Sequence, residues 1–282
     1  MKQPDTADPA EPVIGNPDTS HVVRQEAVAL LRSLEPTSAQ VIIADPPYGI
    51  AYHSNHRVGK NPHAPVTNDW NFKIGAFLIA AGNVLKEGGV LYLFTRWDVY
   101  PLWSSLVAPP LTLKNVIVWN KDNHSAGDLR GDFGNKYEML MMLTRGKFRR
   151  RGHRWSNVWE FPRVSAAAML HPTQKPVALI QRAIEASSDL GDLVLDPFCG
   201  SGSTGVAALA CGRRVLLGDV DPAMVRMSRV RLGEMEPEKE KASVEAPFVT
   251  ECPIFGAVPP SPSLWGLHPE DLAHALGESA GK

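Results

Sequence analysis

The sequence predicts an α/β fold: one domain with a mostly parallel sheet covered by helices. Between about residues 21 and 235, apolar runs of strand length alternate with amphipathic stretches of helix length. The chain has 282 residues, of which 44% are hydrophobic and 21% charged, enough to bury one substantial core. A glycine-rich turn joins one of the apolar runs to a helix-length stretch, as in open α/β sheets that bind ligands at their strand ends.

In chain order, a helix is expected over Val22–Leu34, a strand over Gln40–Ala44, a helix over Phe72–Leu85 and a strand over Val90–Phe94. A helix over Trp97–Leu106, strands over Lys114–Trp119 and Tyr137–Leu143 and a helix over Pro176–Ser188 follow. The run closes with a strand over Leu193–Asp196, a helix over Ser203–Cys211, a strand over Arg214–Gly218 and a helix over Pro222–Glu234. Residues 1–20 and 236–282 hold 11 of the 24 prolines and little periodicity, so both read as tails. A short helix over Pro269–Leu276 is compatible with its first-turn proline and acids.

No apolar run is long enough for a membrane helix, and Met1–Ser20 is acidic and proline-dotted where a signal peptide is basic and then apolar. A cytoplasmic protein without a membrane partner is expected. Cys199, Cys211 and Cys252 form neither a disulfide framework nor a metal knuckle. His53, His56 and His63 lie in a polar stretch without a nearby acid, so a mobile loop over about 51–68 is expected there and no metal site.

The net charge of -1 hides a division along the chain. Residues 1–20 hold one Lys and four acids, and residues 236–282 hold three Lys and eight acids. Residues 21–235 therefore carry 25 basic against 18 acidic groups, a balance that suits a polyanionic partner.

The first chemical feature is Asp196-Pro-Phe-Cys-Gly-Ser-Gly-Ser-Thr-Gly205, which follows Leu193-Val194-Leu195 and opens a helix. Gly200, Gly202 and Gly205 make a GxGxxG, and Asp219, 23 residues after Asp196, supplies a carboxylate that can take both ribose hydroxyls. The pattern points to a nucleoside cofactor. Taken alone it also fits a dinucleotide site or a plain glycine-rich turn.

The second feature ends the strand Val41-Ile42-Ile43-Ala44 with Asp45-Pro46-Pro47-Tyr48-Gly49. Pro47 holds the Pro46 carbonyl in one direction, so Asp45 and Pro46 make a rigid pair of acceptors beside the ring of Tyr48. An exocyclic amino group on a flat base requires two acceptors and a stacking face. In isolation the same residues also fit a capped, proline-stopped turn.

Together these motifs resemble the amino-group DNA methyltransferases that use S-adenosylmethionine, and DPPY standing before DPFCGSG is similar to the permuted beta group of that family. The resemblance covers roughly residues 24–232 and includes Leu85–Phe94, Val116–Lys121, Tyr137-Glu-Met-Leu and His171-Pro-Thr-Gln-Lys-Pro176. It implies a Rossmann-like methyltransferase sheet, mostly parallel with one antiparallel strand, in circularly permuted motif order. The missing sheet strands must then come from the N-terminal part. The resemblance assigns catalysis to Asp45, Pro46, Pro47 and Tyr48. It assigns S-adenosylmethionine binding to Asp196, Pro197, Phe198, Gly200, Ser201, Gly202, Thr204 and Asp219, with His171, Thr173, Gln174 and Lys175 closing over the methionine end.

The implied reaction is direct methyl transfer to the 6-amino group of adenine in double-stranded DNA after base flipping. Asp45 and the Pro46 carbonyl would free the nitrogen lone pair, and Tyr48 would replace lost stacking. Cytosine 4-amino transfer is the near alternative, although such members more often carry Ser in place of Asp45. A catalytically inactive nucleic-acid binder is the second alternative. Cys199 lies inside the cofactor loop and reads as a packed side chain, not a nucleophile.

The stretch Arg145-Gly-Lys-Phe-Arg-Arg-Arg-Gly-His-Arg-Trp155 places six cations in eleven positions. With the interleaved Phe148, Trp155 and Trp159, it points to DNA contact through Lys147, Arg149, Arg150, Arg151 and Arg154, and the resemblance implies a recognition insert of about 145–170 here, between the last strand and the HPTQKP-like motif. A charge run is otherwise a solvated face. The resemblance also allows a homodimer and a cognate restriction endonuclease.

Overall fold

The structure is a computed structural model and describes residues 21–48, 72–124, 131, 133–165, 169 and 174–235. The chain divides into two units after Pro237, and every described residue lies in the first. The two tails, the Pro269–Leu276 helix and the 51–68 loop fall outside the described residues.

The elements in chain order are β1 (His21–Arg24), α1 (Ala27–Arg32), β2 (Ala39–Ala44), α2 (Ile74–Val84), β3 (Leu85–Thr95), α3 (Tyr100–Ser105) and β4 (Leu111–Asn120). They continue with β5 (Tyr137–Arg145), β6 (Val158–Glu160), α4 (Val177–Ser187), β7 (Leu193–Asp196), α5 (Ser203–Ala210), β8 (Arg214–Asp219) and α6 (Pro222–Arg231). The strands form one sheet in the order β1-β8-β7-β2-β3-β5-β4-β6. Among the described residues β5 alone runs antiparallel to its neighbours. No described helix is long and apolar enough to cross a membrane.

Helices cover both faces, which is why the central strands read as continuous apolar runs. All six residues of β2 are buried. Along β3 the side chains alternate: Val90, Tyr92 and Phe94 pack with Leu179, Ile180 and Ile184 of α4, while Leu91 and Leu93 pack with Phe77 and Leu78 of α2 and Leu30 of α1. Each such side chain removed from water contributes about 1.5 to 3 kcal/mol. Two polar groups in this core are satisfied: the Tyr92 hydroxyl lies 2.6 Å from that of Ser187, and the Gln40 amide donates to the Ser187 and Gly88 carbonyls at 3.0 and 3.3 Å.

The expected helix over Val22–Leu34 divides. Its first residues form β1, because the adjacent β-branched Val22 and Val23 complete the open side of β8. Glu234 accepts from the Val22 amide at 3.3 Å, and the Arg229 guanidinium donates to the Val22 carbonyl at 2.9 and 3.1 Å. The helix starts only past Glu26, whose carboxylate accepts from the Ala29 amide at 2.8 Å. This N-terminal strand, beside the last of the described strands, supplies the strand that permutation requires. The three-residue β6 is an addition to the expected elements and lies inside the expected recognition insert.

Candidate active site

Strands β2, β7 and β8 lie side by side and parallel, so their C-terminal ends open on one edge of the sheet. Three carboxylates stand there: Asp45 just past β2, Asp196 closing β7 and Asp219 closing β8.

The loop after β7 folds around its own acid. Asp196 accepts from the Phe198 amide at 2.9 Å and from the Thr204 hydroxyl at 2.5 Å. The Cys199 amide donates to the Gly218 carbonyl at 2.9 Å, tying the loop to β8. Asp219 accepts from the Gly200 and Asp221 amides at 3.0 and 2.9 Å. Gly200 and Gly202 have φ of +48° and +78°, values that side chains with a Cβ rarely adopt. A Cβ on Gly200 would meet nothing, so the loop backbone is bare for a ligand, whereas one on Gly202 would meet the Ser228 hydroxyl of α6. Arg231 donates to the Ser201 carbonyl at 2.9 Å, clamping the loop to α6. Pro197 is buried, and the Phe198 ring meets Phe72 and Phe77 at 5.3 and 5.5 Å.

Burial raises the proton affinity of Asp219 and pushes Asp196 up to about 7. Among the described residues, neither carboxylate has a cation within ion-pair distance. Cys199 is buried, and that burial pushes its thiol far above the usual range, which leaves it unreactive.

On the β2 side, Pro46 is buried and Asp45, Pro47 and Tyr48 are half-buried. The Tyr48 hydroxyl donates to Asp45 Oδ1 at 2.8 Å, and its ring tilts against Trp103 at 5.9 Å. Burial, with the neighbouring charge of Asp45, raises the Tyr48 phenol well above its ordinary value. Asp45 Oδ2 lies 2.6 Å from Lys175 Nζ, which also stands 3.2 Å from Glu138 Oε2. Glu138 Oε1 in turn takes Lys121 at 2.5 Å. Burial would lower the proton affinity of Lys175, yet Asp45 and Glu138 outweigh it and hold the ammonium firmly charged. Burial likewise works to raise Glu138, but Lys175 and Lys121 hold it below the ordinary range.

The structure thus gathers Asp45–Tyr48, Asp196–Thr204, Asp219 and Lys175 at one sheet edge. Gln174 stands beside Lys175, while His171 and Thr173 lie outside the described residues. Lys175, expected against the cofactor, places its ammonium on Asp45. Glu138 and Lys121 are visible in the sequence only as polar residues at the ends of apolar strands. Their signal is a single acid at the mouth of a strand beginning and a single lysine just past the end of its neighbour, which antiparallel pairing brings together.

The basic run is carried elsewhere. From Glu138, β5 runs away from the site for seven residues, about 24 Å at the usual strand rise, before Arg145 is reached. Arg145 donates to the carbonyls of Gly82, Asn83 and Leu85, finishing α2, and Arg151 pairs with Asp189 at 3.0 Å. Lys147, Arg149 and Arg150 are exposed at that far end. Arg154 is exposed beside Asn115 and Trp155, near the outer edge of the sheet. The interleaved aromatics serve packing instead: Phe148 rests on the core, Trp159 is buried, and Phe161, Trp155 and Trp159 surround the Arg182 guanidinium at 4.3, 5.7 and 5.7 Å.

Comparison with known proteins agrees with this geometry. Residues 39–230 match the N6/N4 methyltransferase family model described as DNA methylase. The chain is 28% identical over 256 residues to the DNA adenine methyltransferase YhdJ of Escherichia coli (strain K12), covering 79% of this chain and 85% of the relative. It is 29% identical over 244 residues to the type II methyltransferase M2.DpnII of Streptococcus pneumoniae, covering 75% and 88%. Among solved structures, the M1.HpyAVI–SAM complex superposes with a TM-score of 0.59 at 19% identity, over 76% of this chain and all of that one. The cytosine-N4-specific PvuII DNA methyltransferase superposes with a TM-score of 0.58 at 14% identity, over 76% and 87%. With a carboxylate–proline turn and a glycine loop on one edge of a permuted sheet, and a family match over most of its length, the chain belongs to the DNA methylase family.

Proposed function

We propose that the chain transfers a methyl group from S-adenosylmethionine to the 6-amino group of adenine in double-stranded DNA. The observation that carries this reading is the placement of Asp45 and Pro46 at the end of β2, directly beside the Asp196–Gly205 loop at the end of the paired β7. Asp45 as the acceptor and the name of YhdJ both favour adenine over cytosine.

The residues present fit the cofactor. Among the described residues no cation offsets the burial costs of the Asp196 and Asp219 carboxylates, and a ligand carrying a sulfonium and an ammonium supplies one. The bare backbone at Gly200 admits it, and Asp219 is the acceptor for ribose hydroxyls. Bound there, S-adenosylmethionine supplies a methyl group on sulfur, whose electron pair stays with sulfur as the new C–N bond forms.

The remaining chemistry belongs to this chain. Asp45 and the Pro46 carbonyl accept the two amino hydrogens, drawing the nitrogen toward a tetrahedral shape and freeing its lone pair. Pro47 fixes the direction of that carbonyl, which supplies orientation before reaction. Methylated nitrogen is acidic, so its surplus proton leaves by way of Asp45 to water. Tyr48 offers its ring to the flipped base.

For DNA contact the exposed Arg149, Arg150 and Arg154, with Lys147, keep a phosphate role. A duplex reaching from the site to the basic run would span the roughly 24 Å along β5 in about seven base pairs. Arg145 is excluded from that role by its carbonyl contacts, and Arg151 is engaged by Asp189. A homodimer and a cognate restriction endonuclease belong to the same proposal, and exposed Ile79 and Leu102 offer a dimer apolar contact.

The test is thermal unfolding and labelling. S-adenosylmethionine should raise the melting temperature and NAD should not, since only a ligand of the folded state stabilises it. Tritiated methyl transfer to unmethylated genomic DNA should yield methyladenine. Stabilisation by NAD alone, or label only in methylcytosine, would overturn the proposal.

A further inference from the structure

We propose that Lys175 is a positioning residue for Asp45, fixing Oδ2 so that Oδ1 is the oxygen offered to the target amino group, and that Glu138 holds Lys175 in that place. The proposal rests on the methyl-transfer reading and deepens it.

Five groups form an alternating chain, Lys121–Glu138–Lys175–Asp45–Tyr48, with side chains between 12% and 23% exposed for the four charged members. The contacts on the two oxygens of Asp45 differ in kind. Oδ2 is held at 2.6 Å by an ammonium, its side chain 12% exposed, that itself lies over the Phe94 ring, 4.8 Å from the centroid. Oδ1 accepts at 2.8 Å from a phenol on the same short turn, a neutral donor that an incoming amino group replaces like for like. Displacing Lys175 instead would give up a charge-assisted contact of 2.6 Å and leave the ammonium with Glu138 as its one ion-pair partner among the described residues. The substrate therefore takes Oδ1, and the ammonium remains.

Glu138 answers a further difficulty. A fixed cation beside the reacting nitrogen would repel a sulfonium cofactor and the positive charge that develops on nitrogen. Glu138 neutralises Lys175 with a second carboxylate, 3.2 Å from Nζ, and is itself anchored by Lys121 over the Trp119 ring. Its Oε2 is buried, 3.2 Å from Lys175 Nζ but without hydrogen-bond geometry, so this contact acts through charge. The only ion-pair partners of Lys175 among the described residues are these two acids, and neither belongs to the cofactor loop.

The experiment compares Lys175→Gln, Lys175→Arg, Glu138→Gln, Asp45→Asn and the double variant Asp45→Asn/Lys175→Gln with wild type. It measures single-turnover methyl transfer, KM for DNA, calorimetric affinity for S-adenosylmethionine and melting temperature. Lys175→Gln should slow transfer about 10- to 100-fold while cofactor affinity and KM for DNA change less than about threefold, and Lys175→Arg should recover part of the rate. Glu138→Gln should lose less, about three- to tenfold. The double variant should be no slower than Asp45→Asn alone, because Lys175 acts only through that carboxylate. A Lys175→Gln enzyme with weakened cofactor binding and intact rate makes Lys175 a cofactor ligand and overturns the proposal. Rate reductions that multiply in the double variant also overturn it. If Lys175→Gln fails to fold, Lys175→Arg and Glu138→Gln carry the same comparison, and full rates in both overturn it. Wild type without adenine transfer brings down the methyl-transfer reading and this proposal together.

Discussion

At Asp196 the carboxyl group is enclosed by the Phe198 amide and the Thr204 hydroxyl, with no cation in ion-pair distance among the described residues. Its folded value of about 7 lies above the ordinary 3.8, so between those limits the folded protein binds more protons than the unfolded chain. Stability from this group is greatest below about pH 4 and falls as pH rises toward 7, by an amount on the order of a few kcal/mol. Asp196→Asn keeps both hydrogen bonds, with the amide donating to Thr204, and removes the titration. Thermal unfolding across pH 5 to 8 should show the cofactor-free wild type losing stability relative to Asp196→Asn as pH rises, and S-adenosylmethionine should narrow the gap. Parallel curves would mean that Asp196 is not held as a buried, uncompensated acid.

At the scale of elements, the direction of β5 decides what the basic run can do. Because β5 is antiparallel, it carries Glu138 to the active edge and Arg145 to the opposite one. The triple variant Arg149→Gln/Arg150→Gln/Arg154→Gln should flatten the logarithmic salt dependence of DNA binding by up to about 0.9 for each phosphate that is no longer neutralised. An unchanged slope would make the run a solvated face. The same element shows what is legible in the chain and what is not. The apolar run Tyr137–Leu143 announces a strand, and DPPY and DPFCGSG announce both ligand loops, since these are local patterns with local chemistry. The partner of Lys175 is hidden, because it comes from a residue 37 positions earlier in the chain, and only strand pairing places it there. Val22–Arg24 reads as helix for a related reason. Apolar periodicity over four residues serves either element, and the open side of β8, nearly 200 residues later, selects the strand. Trp155 and Trp159 resemble nucleic-acid contacts beside arginines in the sequence, but their arginine is Arg182 on α4.

For the whole molecule, the permuted order reconciles a chain that meets its catalytic turn first with a sheet that needs that turn beside the cofactor loop. β2 pairs with β7 across about 150 residues of sequence, and β1 closes beside β8, so the loops Asp45–Tyr48 and Asp196–Gly205 leave adjacent parallel strands. This adjacency is the basis of the functional account, and Asp45→Ala tests it most directly. The measurement is tritiated methyl transfer to unmethylated genomic DNA, with acid release of the modified base and calorimetric cofactor binding on the same preparation. Removing one preorganised electrostatic group costs about 10² to 10³ in rate, so methyladenine formation should fall at least about a hundredfold while S-adenosylmethionine still binds the untouched loop on β7. Near-full activity of Asp45→Ala would contradict the account.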